Sequence, residues 1–221
     1  MGRISNVFKS DSKYQLFLLS LLTTGIGYGI YKGIIDNYLA EIVVMGEMDR
    51  GIAEFFREIP GLLLIIILAA LYTFSAEKLY KLGALIMVAG MGMLSIVSPT
   101  KVLVTIAICI FSLGEHIQLG MKNTISLEYS RPGMGGQALG YQNSLTQIGT
   151  LAGYAVIIAS FVFFADSKPF RPFFFVSTII MAISMLASFG LTSHSETDKS
   201  KSRFYFRKKY TKYYMLEVFY G

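Results

Sequence analysis

The chain reads as an all-α membrane protein built from six transmembrane helices. Hydrophobic residues make up 53% of its 221 residues, charged residues only 15%, and the mean hydropathy is +0.54. A soluble domain of this size carries about 25% charged residues. The apolar residues also fall in long blocks rather than in short amphipathic periods, which is the pattern of membrane spans. The lone cysteine, Cys109, lies inside one block, which excludes a disulfide framework and a cysteine-based metal site.

The first block runs from Tyr14 to Ala40, after a polar cytoplasmic segment over 1–13 that carries no signal-peptide core. The second spans Gly51 to Ser75, the third Tyr80 to Ser98, and the fourth Lys101 to Ser126. The fifth covers Gln137 to Phe164 and the sixth Phe173 to Leu191, completing a transmembrane domain over 14–192. At ~1.5 Å per residue each block reaches across a ~30 Å hydrocarbon core, the longer ones by tilting. With the N-terminus inside, fourteen of the 20 Lys and Arg lie on the cytoplasmic side. Only Arg50, Lys101, Lys168 and Arg171 lie outside, while Lys32 and Arg57 fall within blocks. The expected location is a cell membrane (plasma or inner), multi-pass, with both the N-terminus and the basic 193–212 segment cytoplasmic. The net charge of +6 comes largely from Lys199 to Lys212. That cluster sits at the bilayer surface, so it reads as the positive-inside signal rather than a nucleic-acid site.

Polar residues divide the blocks into two groups. The third and sixth carry no ionisable residue over 82–97 and 173–191. The other four carry Lys32, Asp36, Glu54, Arg57, Glu58, Glu115, His116, Asn143 and Gln147. Four helices around a polar cavity, with two outside facing lipid, would explain the split. Lys32 and Asp36 lie ~12 and ~6 Å from the outer end, and Arg57 and Glu58 ~9 to 10 Å. Matched depth predicts the pairs Lys32–Glu58 and Asp36–Arg57, with Glu54 able to substitute for Glu58. Glu115 and His116 lie ~20 Å deep, near the midplane, with Tyr28 and Gln147 at a similar level. Neighbouring helical residues point ~100° apart, so one should face a solute path and the other a neighbouring helix. Either could load and release a proton. No ligand spacing suggests a metal, and no nucleophile suggests an enzyme, so neither a cofactor nor catalysis is expected.

Gly25, Gly29 and Gly33 recur at every fourth position of the first block, a smooth stripe suited to close helix packing. Gly149 and Gly153 repeat the device in the fifth. Shifting the chain by 87 positions lays Gly27, Gly33 and Glu41 over Gly114, Gly120 and Glu128. Such a match fits a 3+3 inverted repeat, with the first and fourth spans equivalent and opposite in direction.

Six spans with both ends inside, a polar first-second-fourth-fifth set and a basic segment after the sixth resemble the N-terminal half of a major facilitator superfamily transporter. That family's inner loop reads Gly-x-x-x-Asp-Arg/Lys-x-Gly-Arg/Lys-Arg/Lys. Thr73 to Leu82 here keeps the acid as Glu77, the next base as Lys78 and a later base as Lys81, but lacks both glycines. Arg57-Glu-Ile-Pro60-Gly61, Gly114-Glu115-His116, Arg131-Pro-Gly133 and Gly136-Gln-Ala-Leu-Gly140 look like a bacterial branch of the superfamily. Its antiporter motif is half present, since Tyr154 rather than Pro follows Gly153. The resemblance implies a secondary active transporter moving a small solute by alternating access, with proton coupling as an option. Tyr28, Lys32, Asp36, Glu54, Arg57, Glu58, Glu115, His116, Asn143 and Gln147 would line the solute and proton pathway. Glu77, Lys78, Lys81 and Arg131 would form a cytoplasmic gating loop. Residues 213–221 would open a truncated seventh helix, leading to a missing C-terminal six-helix half as partner. The alternative is a non-transporting scaffold or sensor that associates with other membrane proteins, whose buried charges would pair off and leave no cavity.

Overall fold

The structure is a computed structural model that describes residues 6–9, 13–71, 73–163, 170–192, 208–212 and 215. Most of the 193–212 segment and of the expected seventh-helix start at 213–221 lie outside the described residues. The helices in chain order are α1 (Lys13–Glu41), α2 (Glu47–Leu62), α3 (Leu64–Ala70), α4 (Ala76–Ile96), α5 (Lys101–Tyr129), α6 (Gly135–Phe163) and α7 (Phe170–Phe189). A single 3-10 turn follows at Lys208–Tyr210. Among the described residues there is no strand, only an isolated bridge between Phe8 and Ser130.

Five helices, α1, α4, α5, α6 and α7, are long and apolar enough to cross a membrane. The expected sixth is not among them, because the second apolar block is divided into α2 and α3. Two features of the sequence cause this. The Glu47–Leu62 helix carries Glu47, Asp49, Arg50, Glu54, Arg57 and Glu58, too much charge for a plain span. Pro60 has no N–H to bond the carbonyl of Phe56, and the helix breaks three residues later at Leu63 (ψ −4°). The interruption is local, since Leu63 N–H still donates to Ile59 O at 2.9 Å and Ile67 N–H to Leu63 O at 2.9 Å.

Cross-contacts fix which helix ends lie together. At the end where α1 begins (the proximal end), Lys9 N–H donates to Tyr129 O and Arg131 N–H to Val7 O, both at 2.9 Å. There also Lys81 Nζ donates to Leu191 O at 2.6 Å. At the distal end Lys101 Nζ meets Asp49 Oδ2 at 2.6 Å, Arg171 donates to Val97 O at 2.7 Å, and Tyr38 packs edge-on against Phe174. The α2 helix therefore starts distally. The α3 helix carries the chain back, with Leu64, Leu68 and Leu71 packed on the proximal core of Phe8, Phe17, Tyr80 and Tyr129. The α2 and α3 helices in succession thus form a passage back to the proximal end, beside the five long helices.

The passages pack in a regular pattern. The α1 helix lies against α6 and α7, while α5 lies against α2 and α4, and α4 touches α7. Exchanging the first three passages with the last three maps these contacts onto one another, but α5 also touches α6, and no comparable contact joins α1 to α2 or α3. The glycines aligned by the 87-residue shift follow the same exchange. A Cβ at Gly27 would meet Met181 of α7, and one at Gly114 would meet Met87 of α4. Likewise Gly33 faces Ile157 of α6, and Gly120 faces Leu64 and Leu68 of α3.

Two helix pairs approach backbone to backbone. On α1 and α6, a Cβ added at Gly25 would strike Thr146 O, at Gly29 Thr150 O, at Gly149 Leu22 O, and at Gly153 Ile26 O. On α4 and α5, Gly83 and Gly114 face each other's carbonyls, and Gly90 lies on Phe111. Hydroxyls join α7 to α1: Ser177 Oγ donates to Gly27 O at 2.8 Å and Ser184 Oγ to Ser20 O at 2.9 Å. Such contacts suit a bilayer, where small residues and interhelical hydrogen bonds replace the hydrophobic effect as the source of association. Gly29→Leu forces α1 and α6 apart and should cost about 1–3 kcal/mol, lowering the thermal unfolding midpoint in detergent by several degrees. Gly136→Ala, with nothing within 4 Å of the added methyl, should leave the midpoint unchanged or slightly higher.

Candidate functional site

A cavity of about 310 Å³ lies between α1, α4, α5 and α6. Glu115, Gln118 and Lys122 enter it from one face of α5, Tyr28 and Thr24 from α1, and Thr146, Gln147 and Thr150 from α6. Tyr80 and Met87 of α4 line its back. The glycine contacts explain why this space exists. Close approach holds α1 to α6 and α4 to α5, so the larger side chains on the adjoining faces stand off one another. The α1 stripe shows this directly, since Gly25 closes on α6 while Tyr28, three positions on, stands in the cavity.

Glu115 and His116 take opposite roles, as their angular offset requires. The Glu115 carboxyl faces the Tyr28 hydroxyl in the cavity. His116 instead turns to α2. Its Nδ1 lies 2.9 Å from Ser112 O and 3.1 Å from Ser112 Oγ, and its Nε2 stands 4.0 Å from Glu58 Oε2. A Cβ at Gly61 would come within 2.5 Å of that same Nε2, so glycine is what admits the imidazole. Ser112 also donates to Arg57 O at 2.6 Å, which ties α5 to α2.

A second cavity of about 370 Å³ lies distally between α1, α2 and α5. It brings together Lys32, Asp36, Arg50, Glu54 and Arg57. The expected pairs Lys32–Glu58 and Asp36–Arg57 are not formed. Arg57 is held within its own helix, its Nε 2.8 Å from Glu54 Oε2 and its Nη2 bonded to both Glu54 and Glu58. Side chains at i−3 and i+1 reach the guanidinium without crossing the gap, and the cavity keeps α1 too far to compete. Neither Lys32 nor Asp36 makes an ion pair among the described residues.

The residues of the expected gating loop are spread around the proximal end rather than joined in one cluster. Glu77 is 2% exposed, beside Glu128, with no hydrogen-bond partner among the described residues on either carboxyl oxygen. Lys78 is exposed. Lys81 caps the end of α7 through Leu191 O, and Arg131 Nε donates to Phe8 O at 3.0 Å. Asn143 is exposed on α6 and accepts a 3.4 Å bond from Gln142, while Gln147, one turn on, reaches the cavity.

Of the ten expected pathway residues, Tyr28, Glu115 and Gln147 meet in the central cavity, and Lys32, Asp36, Glu54 and Arg57 in the distal one. Glu58 and His116 meet each other between α2 and α5. Sequence reasoning missed Lys122, Gln118 and the threonines. The signal for Lys122 was present in its seven-residue spacing from Glu115, which places both on one helix face. The α7 helix lines neither cavity, its one ionisable residue, Arg171, being bonded to Val97 O at the distal end, whereas α4 does contribute Tyr80 and Met87. Among the described residues no group of three or more His, Cys, Asp or Glu could hold a metal ion.

No protein-family model matches the chain, and no curated protein is significantly similar to it.

The observed charge pairing is open to a double-mutant cycle on unfolding free energy in detergent. Arg57→Gln with Glu54→Gln should show a coupling of about 0.5–1 kcal/mol. Arg57→Gln with Asp36→Asn should show none.

Proposed function

We propose that the chain is a six-passage bundle of the major facilitator superfamily type and serves as one half of a secondary transporter. A small solute binds in the central cavity, and rocking of this bundle against a second one, packed over the cavity's open side, exposes it to each face of the membrane in turn. On this reading α2 and α3 together form the second of six spans, the proximal end is cytoplasmic, and the membrane is the cell membrane. The solute contacts Tyr28, Glu115, Gln118, Lys122 and Gln147, and Glu115 is the group that carries a coupled proton. Lys32, Asp36 and the Arg57 cluster line the outer part of the pathway.

The observation that carries this reading is the polar cavity itself. Ionisable side chains at this depth are costly unless they face one another or water. Here Glu115 and Lys122 face a common space without forming an ion pair among the described residues. A non-transporting scaffold would be expected to close such charges into pairs. The approximate exchange symmetry of the helix contacts, broken by the α5–α6 contact, supports the 3+3 inverted arrangement common to transporter folds. The exposed Asn143, Ser144 and Gln147 on α6, beside the cavity mouth, give its open side a polar rim suited to a partner bundle.

An aqueous pathway can be tested in sealed membrane vesicles with single cysteines in a Cys109→Ser background. Gln147→Cys should react with a membrane-impermeant maleimide, and Ile158→Cys, on the outward face of α6, should not. Failure of Gln147→Cys to react from either side would contradict a solute path.

A further inference from the structure

The central cavity holds two opposite charges that do not meet. Glu115 and Lys122 stand seven residues apart on α5, on one face, with about 10 Å of helix rise between them. Neither forms an ion pair among the described residues. The uncharged Tyr28 hydroxyl stands beside Glu115 in the cavity, and the cations Lys32 and Arg57 act on it without forming an ion pair. Keeping two half-buried charges apart sacrifices the attraction that would offset their lost hydration. Such an arrangement is accounted for when a ligand supplies the missing counter-charges.

The rest of the wall is neutral. Gln118 and Gln147 lie between or beside the two poles, and each can both donate and accept. Thr146 and Thr150 donate to carbonyls of their own helix at 3.0 Å, which leaves their oxygens as acceptors facing the cavity. A volume of about 310 Å³ suits a small solute and no macromolecule.

We propose that this cavity binds an elongated zwitterion, its ammonium on Glu115 and its carboxylate on Lys122. The separation of the poles selects solutes whose charges are several bonds apart, such as ω-amino acids and short peptides. A solute with both charges on one carbon meets only one pole. The proposal deepens the carrier reading and rests on it for a cavity that fills with water.

The test uses the purified full chain in detergent and follows thermal unfolding with 6-aminohexanoate and glycylglycine as probes. Butyrate, butylamine and glycine serve as controls. At saturating probe the zwitterions should raise the midpoint by about 2 °C or more, while the controls at equal concentration should not. Glu115→Gln and Lys122→Met should each abolish the shift, and Lys122→Arg should retain it, which separates loss of charge from loss of fold. A shift from butyrate or butylamine equal to that of 6-aminohexanoate would overturn the proposal. So would the absence of any shift from the two zwitterions, or full binding by both charge-removing variants. Retained binding without maleimide labelling of Gln147→Cys would sink the carrier reading and leave the site. Labelling with no zwitterion selectivity would do the reverse.

Discussion

Backbone-to-backbone contact between α1 and α6, through Gly25, Gly29, Gly149 and Gly153, sets where the remaining helices can stand. A second such contact joins α4 to α5 through Gly83 and Gly114. Each of these glycines meets main-chain atoms of the facing helix, so no side chain larger than hydrogen fits without moving a helix. With two pairs clasped in this way and α7 bonded to α1 by serine hydroxyls, the volume left over gathers between the pairs. The polar side chains of the bundle interior project into that volume. Close packing and cavity are therefore two results of one arrangement.

The same constraint sorts the charges. Groups with a near partner on their own or a touching helix are consumed locally: Arg57 by Glu54 and Glu58, Lys101 by Asp49, and Lys81 by the end of α7. Groups that face a gap make no ion pair among the described residues, as with Glu115, Lys122, Lys32 and Asp36. Isolated charges within an apolar bundle are destabilising, and folds retain them where the gap is occupied in the working protein. Glu77 poses a related problem at the proximal end, because its carboxyl is enclosed next to another acid, without a hydrogen-bond partner among the described residues.

Much of this was legible in the sequence. Long apolar blocks located the five helices that are long and apolar enough to cross a membrane, since hydrophobic length is dictated by the bilayer and needs no tertiary information. The four-residue glycine spacing marked the α1 and α6 faces that meet, and the adjacent placement of Glu115 and His116 required them to diverge. The second passage was misread because hydropathy averages over a window, whereas Pro60 and the charges of Glu47 to Glu58 act locally. Depth along a helix placed Arg57, Asp36, Lys32 and Glu58 at one level, but level alone does not report the lateral gap between helices. For that reason the short-range Arg57–Glu54 pair won over the cross-helix pairs. Lys122 was counted toward the inner loop because it lies near the end of its block, and only the packing of α5 shows that it shares a cavity with Glu115.

The central claim is that water reaches Glu115 inside the bundle. Hydroxyl-radical footprinting of the protein in lipid nanodiscs measures this most directly, because radicals form only where water is present. Tyr28 and Met87, buried or half-buried side chains on the cavity wall, should be oxidised at rates near those of surface residues, while the outward-facing Phe163 and Phe175 should stay protected by lipid. Protection of Tyr28 and Met87 as complete as that of Phe163 would mean a dry interior, and the carrier account would fail with it.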